Sequence, residues 1–404
     1  MLALAATLAA AGGEESWTRH GIDDFSSGAD GVRLGDVDRD GRPDVVTGWE
    51  EGGFTRVCLN PGPEKAREAW PAVTVGKTPH VEDAMFVDLD GDGRLDVVSC
   101  CEGRTKSIFV HWGPADGKRL RDGDAWQTEA LPASQGRMMW MFAVPMQVDG
   151  RHGIDLVAGG KGRAAEIGWF EAPEDGRQTG AYRYHPIGPV GWVMSIRSRD
   201  MDGDGDDDVL ISDRKGADAA VRWLENPGPG ELQRMPWKSH LVSRSEEKGT
   251  NYMFLDAGDL DGDGLEDVVF GAYARESVVV VARRLDQSGR KWAESSIRLK
   301  KFGMGRAKAA GLGDIDGDGQ LDVAVSCGMA EGRHGVACFS RAGQSLDAEW
   351  TWHPVSGRER GSKFDRLELL DLDGDGDLDV LTCEENDGPK SRGLGVIWYE
   401  NPAG

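Results

Sequence analysis

Residues 88–98 read DLDGDGRLDVV, with aspartates at steps 1, 3, 5 and 9, a glycine at step 6 and an apolar run directly after the last acid. Nearly the same string begins at residue 36 (DVDRDGRPDVV), 200 (DMDGDGDDDVL), 259 (DLDGDGLEDVV), 314 (DIDGDGQLDVA) and 371 (DLDGDGDLDVL). So many like charges in one short loop repel each other unless a cation sits among them. Oxygen ligands on alternate residues suit a hard ion such as Ca²⁺, and glycine at step 6 permits the sharp turn around it. Unlike an EF-hand, which ends its loop on a step-12 carboxylate and enters a helix, this string ends at step 9 and enters a Val-rich run that reads as a buried strand. Each loop therefore joins two strands.

The expected ligands are Asp36, Asp38, Asp40 and Asp44 in the first loop and Asp88, Asp90, Asp92 and Asp96 in the second. The later loops contribute Asp200, Asp202, Asp204 and Asp208; Asp259, Asp261, Asp263 and Asp267; Asp314, Asp316, Asp318 and Asp322; and Asp371, Asp373, Asp375 and Asp379. A degenerate copy, QVDGRHGIDLV at 147–157, has Gln147, Arg151 and His152 in place of the first Asp, the third Asp and the Gly, and is expected to hold no metal. About six Ca²⁺ are thus implied. The net charge of −23 over 404 residues makes nucleic acid an unsuitable partner, and six Ca²⁺ would bring it to −11.

With the degenerate copy included, loops recur every 52 to 59 residues, enough for four short strands and their turns. A third strand follows each pair (SIFVHW, EIGWFE, AVRWLE, GVIWYE), and a fourth opens on an aromatic (WPAVTV at 70, WKSHLV at 237, WTWHPV at 350). The seventh unit stops at WYENPAG without a fourth strand, while WTRHGI, residues 17–22, has that pattern at the other end of the chain. An N-terminal strand completing the last unit closes an array without free sheet edges, whereas a linear solenoid would need capping repeats. The expectation is an all-β, seven-bladed β-propeller of four-stranded blades, forming a single domain over residues 15–404.

The loops resemble the FG-GAP/VCBS repeats of integrin α-subunit propellers and of many secreted bacterial proteins, from about Trp17 to Pro402. That resemblance implies fold and calcium, but its members range over adhesion modules, carbohydrate-binding modules and polysaccharide lyases. It also implies that the Asp loops share one face and that ligands are to be sought on the other. MLALAATLAAAGGEES reads as a signal-peptide core, with residues 1–14 as its remnant, so a secreted or periplasmic location is expected. The run is too short to span a bilayer. Cys100, Cys327 and Cys383 recur after the second strand as small buried residues, and a Cys327–Cys338 bridge is open.

Six residues before each loop stand Asp30, Glu82, Met141, Met194, Met253, Lys308 and Asp365, two residues back from a uniformly apolar column and on the same side by a period of two. Acids gather in units 1, 2 and 7, with Lys308 beside them. Candidate catalytic residues are Lys308, Glu82, Asp365 and His80. Candidate ligand-binding residues are Asp30, Trp140, Trp192, Lys215, Lys363 and Glu384. His20, His185, His240 and His353 follow fourth-strand aromatics by three residues and read as structural. HExxH, GxSxG and GxxxxGK[ST] are absent. Two readings remain: a recognition module for a glycan or a protein surface, or a carbohydrate-active lyase or dehydratase in which Lys308, His80 or Lys363 removes a proton.

Overall fold

An apolar strand runs into each aspartate loop and a second leaves it, so every unit starts as a hairpin. A third and a fourth strand then pair outward in antiparallel register. The structure, a computed structural model, describes residues 16–343, 345–346, 349–358, 361–385 and 393–403. The expected signal segment lies outside them. Among the described residues there are 28 strands and no α-helix.

Five units are separate four-stranded sheets, such as Ala29–Gly35, Asp44–Trp49, Phe54–Cys58 and Ala72–Lys77 in the first. The sixth and seventh share an eight-stranded sheet, joined by one pairing of Gly328 with Lys363. In it Thr18–Asp23 pairs with Gly395–Glu400, as expected of WTRHGI. Each first strand packs on the first strand of the next unit, and Lys363–Leu370 packs on Ala29–Gly35. The approach is close enough that a Cβ on Gly159 would lie 2.7 Å from a Val193 methyl of the following unit.

Tryptophans tie units together. The Trp398 indole N–H, on the third strand of unit 7, donates to the Ala66 carbonyl of unit 1 at 3.2 Å, and Trp70 donates to the same oxygen at 3.1 Å. Trp169 and Trp237 share the Gln233 carbonyl at 3.2 and 3.0 Å, and Trp223 and Trp292 share that of Gly289, both at 2.9 Å. A carbonyl has two lone pairs, and each of these gives one to each adjoining unit. The fourth-strand histidines belong to the same assembly. His20, His185 and His240 lie against Trp398, Trp169 and Trp223, with ring centres 4.1 to 4.7 Å apart. Each also bonds a glutamate at the end of the third strand: Glu400, Glu171 or Glu225. His353 pairs instead with Ser340, at 2.8 Å.

The step-9 aspartate of every loop is buried and accepts the step-2 N–H, at 2.9 to 3.3 Å, in the degenerate loop as in the others. Its other oxygen accepts an N–H from the end of the third strand or just beyond it (Asn60, Gly113, Ala172, Asn226, Arg284, Asn401) in every unit but the sixth. These seven groups are therefore first of all pins between a loop and its sheet. Burial pushes their carboxyls up, to about 6 in Asp44, Asp155 and Asp267 and to about 7 in Asp96, Asp208, Asp322 and Asp379.

The open disulfide does not form. Cys338 stands opposite Ala324, three residues from Cys327, and all six cysteines are free and buried.

Two outcomes are expected. Trp169→Phe and Trp398→Phe each lose one inter-unit bond and cost about 1–3 kcal/mol. A near-zero cost for Trp398→Phe beside a full cost for Trp169→Phe, in denaturant melts, would show that units 7 and 1 are not joined like units 3 and 4. The second concerns pH in the presence of chelator. Each step-9 carboxyl holds its proton more tightly in the fold than in the unfolded chain, where Asp titrates near 4. Its contribution is fully present below about pH 4 and is lost as pH rises through 6 to 7. The chelated protein should thus melt higher at pH 5 than at pH 8, and the reverse order in scanning calorimetry contradicts this.

Candidate functional site

First strands enter the Asp loops and second strands leave them, so residues at the start of a first strand and the end of a second share the opposite face. There the units enclose a cavity of about 390 Å³. All seven residues at the sixth position before the loops line it: Asp30, Glu82, Met141, Met194, Met253, Lys308 and Asp365. The expected column is therefore correct, but its reason is not. In every unit an irregularity of the first strand falls at this place; in unit 1, Asp30 pairs with Gly48 and Arg33 with Val46, so one extra residue is inserted. A bulge reverses the alternation of sides. The apolar column (Val32, Ala84, Ala143, Ile196, Leu255, Ala310, Leu367) goes into the core between sheets, and the column two residues earlier turns into the cavity.

A second ring joins it, and the candidates Lys215 and Glu384 fall one position beyond and one position short of its members Arg214 and Glu385. Fourteen residues after each loop start stand Glu50, Glu102, Lys161, Arg214, Tyr273, Gly328 and Glu385, and all seven line the same cavity. Aligning second-strand ends at that offset finds them. Glu384, the expected ligand residue, is one position off: the strand turns it away, and its carboxylate accepts the N–H groups of Ser362, Lys363 and Leu394.

The other candidates divide. Trp192 and Lys363 line the cavity. Lys215 lies in an adjoining recess, where its Nζ is 4.8 Å from the Trp192 ring centre, with Lys161 and Arg214 groups at 4.4 Å. Trp140 belongs to the core; it is fully buried and donates its N–H to Ser134 O at 2.9 Å. His80 is exposed on a left-handed turn (φ 60°) outside the cavity lining, held by its carbonyl to Glu102 N–H at 2.8 Å. A larger depression of about 1290 Å³, lined by rim residues such as Glu247, Asn251 and Arg275, adjoins the cavity through Tyr273 and Arg306.

Lysines cross between the acids. Lys161 Nζ lies 2.9 Å from Glu82 and also contacts Glu102, while Lys308 Nζ lies 2.5 Å from Asp365 and 3.5 Å from Glu385, which Lys363 also contacts. Burial opposes the charge on Lys308, but Asp365 and Glu385 outweigh it and hold the ammonium well above its usual range. A lysine so held does not accept a proton at neutral pH, so its part here is electrostatic rather than that of the expected base. Burial raises Glu385 to about 8 against the pull of Lys308. Burial, then the Glu385, Asp365 and Glu82 carboxylates, hold Asp30 well above the usual carboxylate range.

On the other face the side chains at steps 1, 3 and 5 of the six loops offer oxygens alone, with Arg42 and Arg94 paired to Asp40 and Asp92. One oxygen from each of Asp36, Asp38 and Asp40 lies within 4.8 Å of the others, as in Asp88, Asp90 and Asp92. In all six loops the step-6 N–H donates to the step-1 carboxylate, at 2.9 to 3.1 Å. Asp88 Oδ1, Asp202 Oδ1 and Asp314 Oδ1 are buried without a hydrogen-bond partner. This donor set fits a hard divalent cation. The 147 loop does not, since Gln147 Nε2 donates into it to Gly153 O at 2.8 Å and Arg151 lies 3.0 Å from Asp149.

Comparison with known proteins agrees with the repeat. The FG-GAP-like repeat matches residues 36–99, 200–270 and 259–325, spans that contain five of the six acidic loops. Integrin alpha-PS2 of Drosophila melanogaster is 27% identical over 180 residues, which are 41% of this chain and 12% of the integrin. Three segments of the chain are thus FG-GAP-like repeats, and the chain has weak homology to an integrin α-subunit.

Proposed function

We propose that the chain is a secreted recognition module, a seven-bladed propeller whose acidic loops bind calcium and whose opposite face binds a glycan or a protein surface. The observation that carries the reading is the pair of seven-membered rings, one residue of each kind per unit, converging on one cavity. Closure is supported by the pairing of Thr18–Asp23 with Gly395–Glu400 and by the Trp398–Ala66 bond. Among the described residues no helix is long and apolar enough to cross a membrane, and the integrin likeness is compatible with an extracellular place. There millimolar calcium suits loops of modest affinity. Aspartates at steps 1, 3 and 5 would hold the ion, and its charge would relieve their mutual repulsion.

Half-buried Trp192 and Tyr273 beside charged groups suit a sugar, which offers apolar ring faces and polar edges. The lyase or dehydratase reading needs a base, and Lys308 is held charged.

Elemental analysis after dialysis against trace calcium should find about six ions per chain, with a lower melting temperature in chelator; one ion or fewer removes the calcium reading. The wild type, Lys308→Met, Glu82→Gln and Trp192→Ala are then screened on uronate-containing and neutral polysaccharides for retention and for unsaturated products. Retention lost with Trp192→Ala, without product, is the expected result. Product formation that Lys308→Met abolishes would establish an enzyme, and no effect of any variant on any glycan would turn the search to a protein partner.

A further inference from the structure

The funnel's lysines do not reach all of its acids. Glu82, Glu102, Asp365 and Glu385 each contact a lysine, but Asp30 and Glu50 have neither a hydrogen bond nor an ion pair from their carboxylates to any described residue. Asp30 is only 7% exposed and faces the cavity. A carboxyl taken out of water without a partner is strongly disfavoured in its charged form, and a second beside it adds repulsion. Yet the chain places Glu50 at the end of the strand paired with that of Asp30, and Glu82 across from both. One oxygen from each of the three lies within 4.8 Å of the others. Two metal–oxygen bonds of about 2.4 Å on opposite sides of an ion span about that distance.

We propose that Asp30, Glu50 and Glu82 hold a divalent cation in the funnel wall, separate from the acidic loops. Three carboxylates with no nitrogen or sulfur among them select a hard ion, Ca²⁺, Mg²⁺ or Mn²⁺. Lys161 Nζ lies 2.9 Å from Glu82 Oε1, and the second Glu82 oxygen is the one the ion would take. Three protein ligands do not fill the shell of such an ion, and the open positions face the cavity. A hydroxyl or carboxylate oxygen of a bound molecule completes them, and Arg214 and Arg306 line the same cavity to receive further negative charge. The site stands on its own geometry and holds whether the ligand is a glycan or a protein.

The test counts metal on the full chain. Wild type, Asp30→Asn and Glu50→Gln are dialysed to equilibrium against Ca²⁺, and separately against Mn²⁺, and metal per chain is measured. Each variant is expected to bind one equivalent fewer than wild type, whatever the wild-type total. If the loops hold nothing, the count falls from one to none, so failure of the loop reading and failure of this one are distinguishable. In chelator both variants should melt at the same temperature as wild type or higher, because an unpaired carboxylate has been removed. A misfolded variant would be recognised by a lower melting point and the loss of all its metal, and half-buried Glu50 provides the milder substitution. Folded Asp30→Asn and Glu50→Gln proteins that bind as much Ca²⁺ and Mn²⁺ as wild type would overturn the site.

Discussion

A backbone carbonyl that accepts two indole N–H groups, one from each of two neighbouring units, is the bond on which this architecture turns. A four-stranded sheet has two faces to cover and cannot cover either alone. The tryptophans give the covering a fixed register. Trp398, Trp169 and Trp223 each lie buried between sheets, and each reaches a carbonyl in the loop before the next unit's fourth strand. An unsatisfied indole N–H there would cost about as much as the bond returns. Sliding one unit against the next therefore loses twice. The histidine lying against each of these rings, tied to a glutamate, restricts the tryptophan further.

Most of the acids gather at the two ends of the inner strands, with buried pairs such as Arg33–Asp83 along the strands between them. At one end, aspartates crowd into loops, and arginines from neighbouring turns approach them, as Arg177 does Asp90 and Arg67 does Asp373, both at 2.6 Å. At the other end, acids and lysines interleave around a cavity. The step-9 aspartates mark the border between the two roles. They persist in the loop at 147, where the acids of steps 1 and 5 are gone, because their work is to hold backbone N–H groups. An acid counted as a ligand from spacing alone can thus be a structural part first.

Much of the fold was legible because it is periodic. Strand order, the aromatic start of the fourth strands and the role of WTRHGI follow from repeating the same local arguments seven times. The structural histidines were legible for the same reason. The cavity was legible only in part. Its first ring appeared in the right column because non-uniform chemistry stood out there, although period-two reasoning alone would have sent those side chains into the core; a bulge is not visible in the alternation of residue types. Glu384 and Glu385 differ by one position, and only the pairing of Lys363 with Glu385 decides which carboxylate meets the cavity. Trp140 and Trp192 are chemically alike, and their fates depend on tertiary packing that no window around either reveals. His80 stands outside the recurring set of fourth-strand histidines, but the turn that carries it ends outside the lining. Cys327 and Cys338 needed register to three residues, finer than sequence spacing supplies.

The bulge in each first strand has a consequence for how such a protein can change. By reversing the side of the strand within two residues, it separates the position that must be apolar from the position that meets the cavity. The valines, alanines and leucines of the inner column answer to the packing of adjacent sheets. The residues two places earlier answer to whatever enters the funnel. Two positions in each unit, fourteen in all, then answer mainly to the cavity, although Met141, Met194 and Met253 among them also pack in the core. A scaffold of this kind is a template for selection experiments: a library confined to those fourteen residues would keep one fold while sampling many pockets.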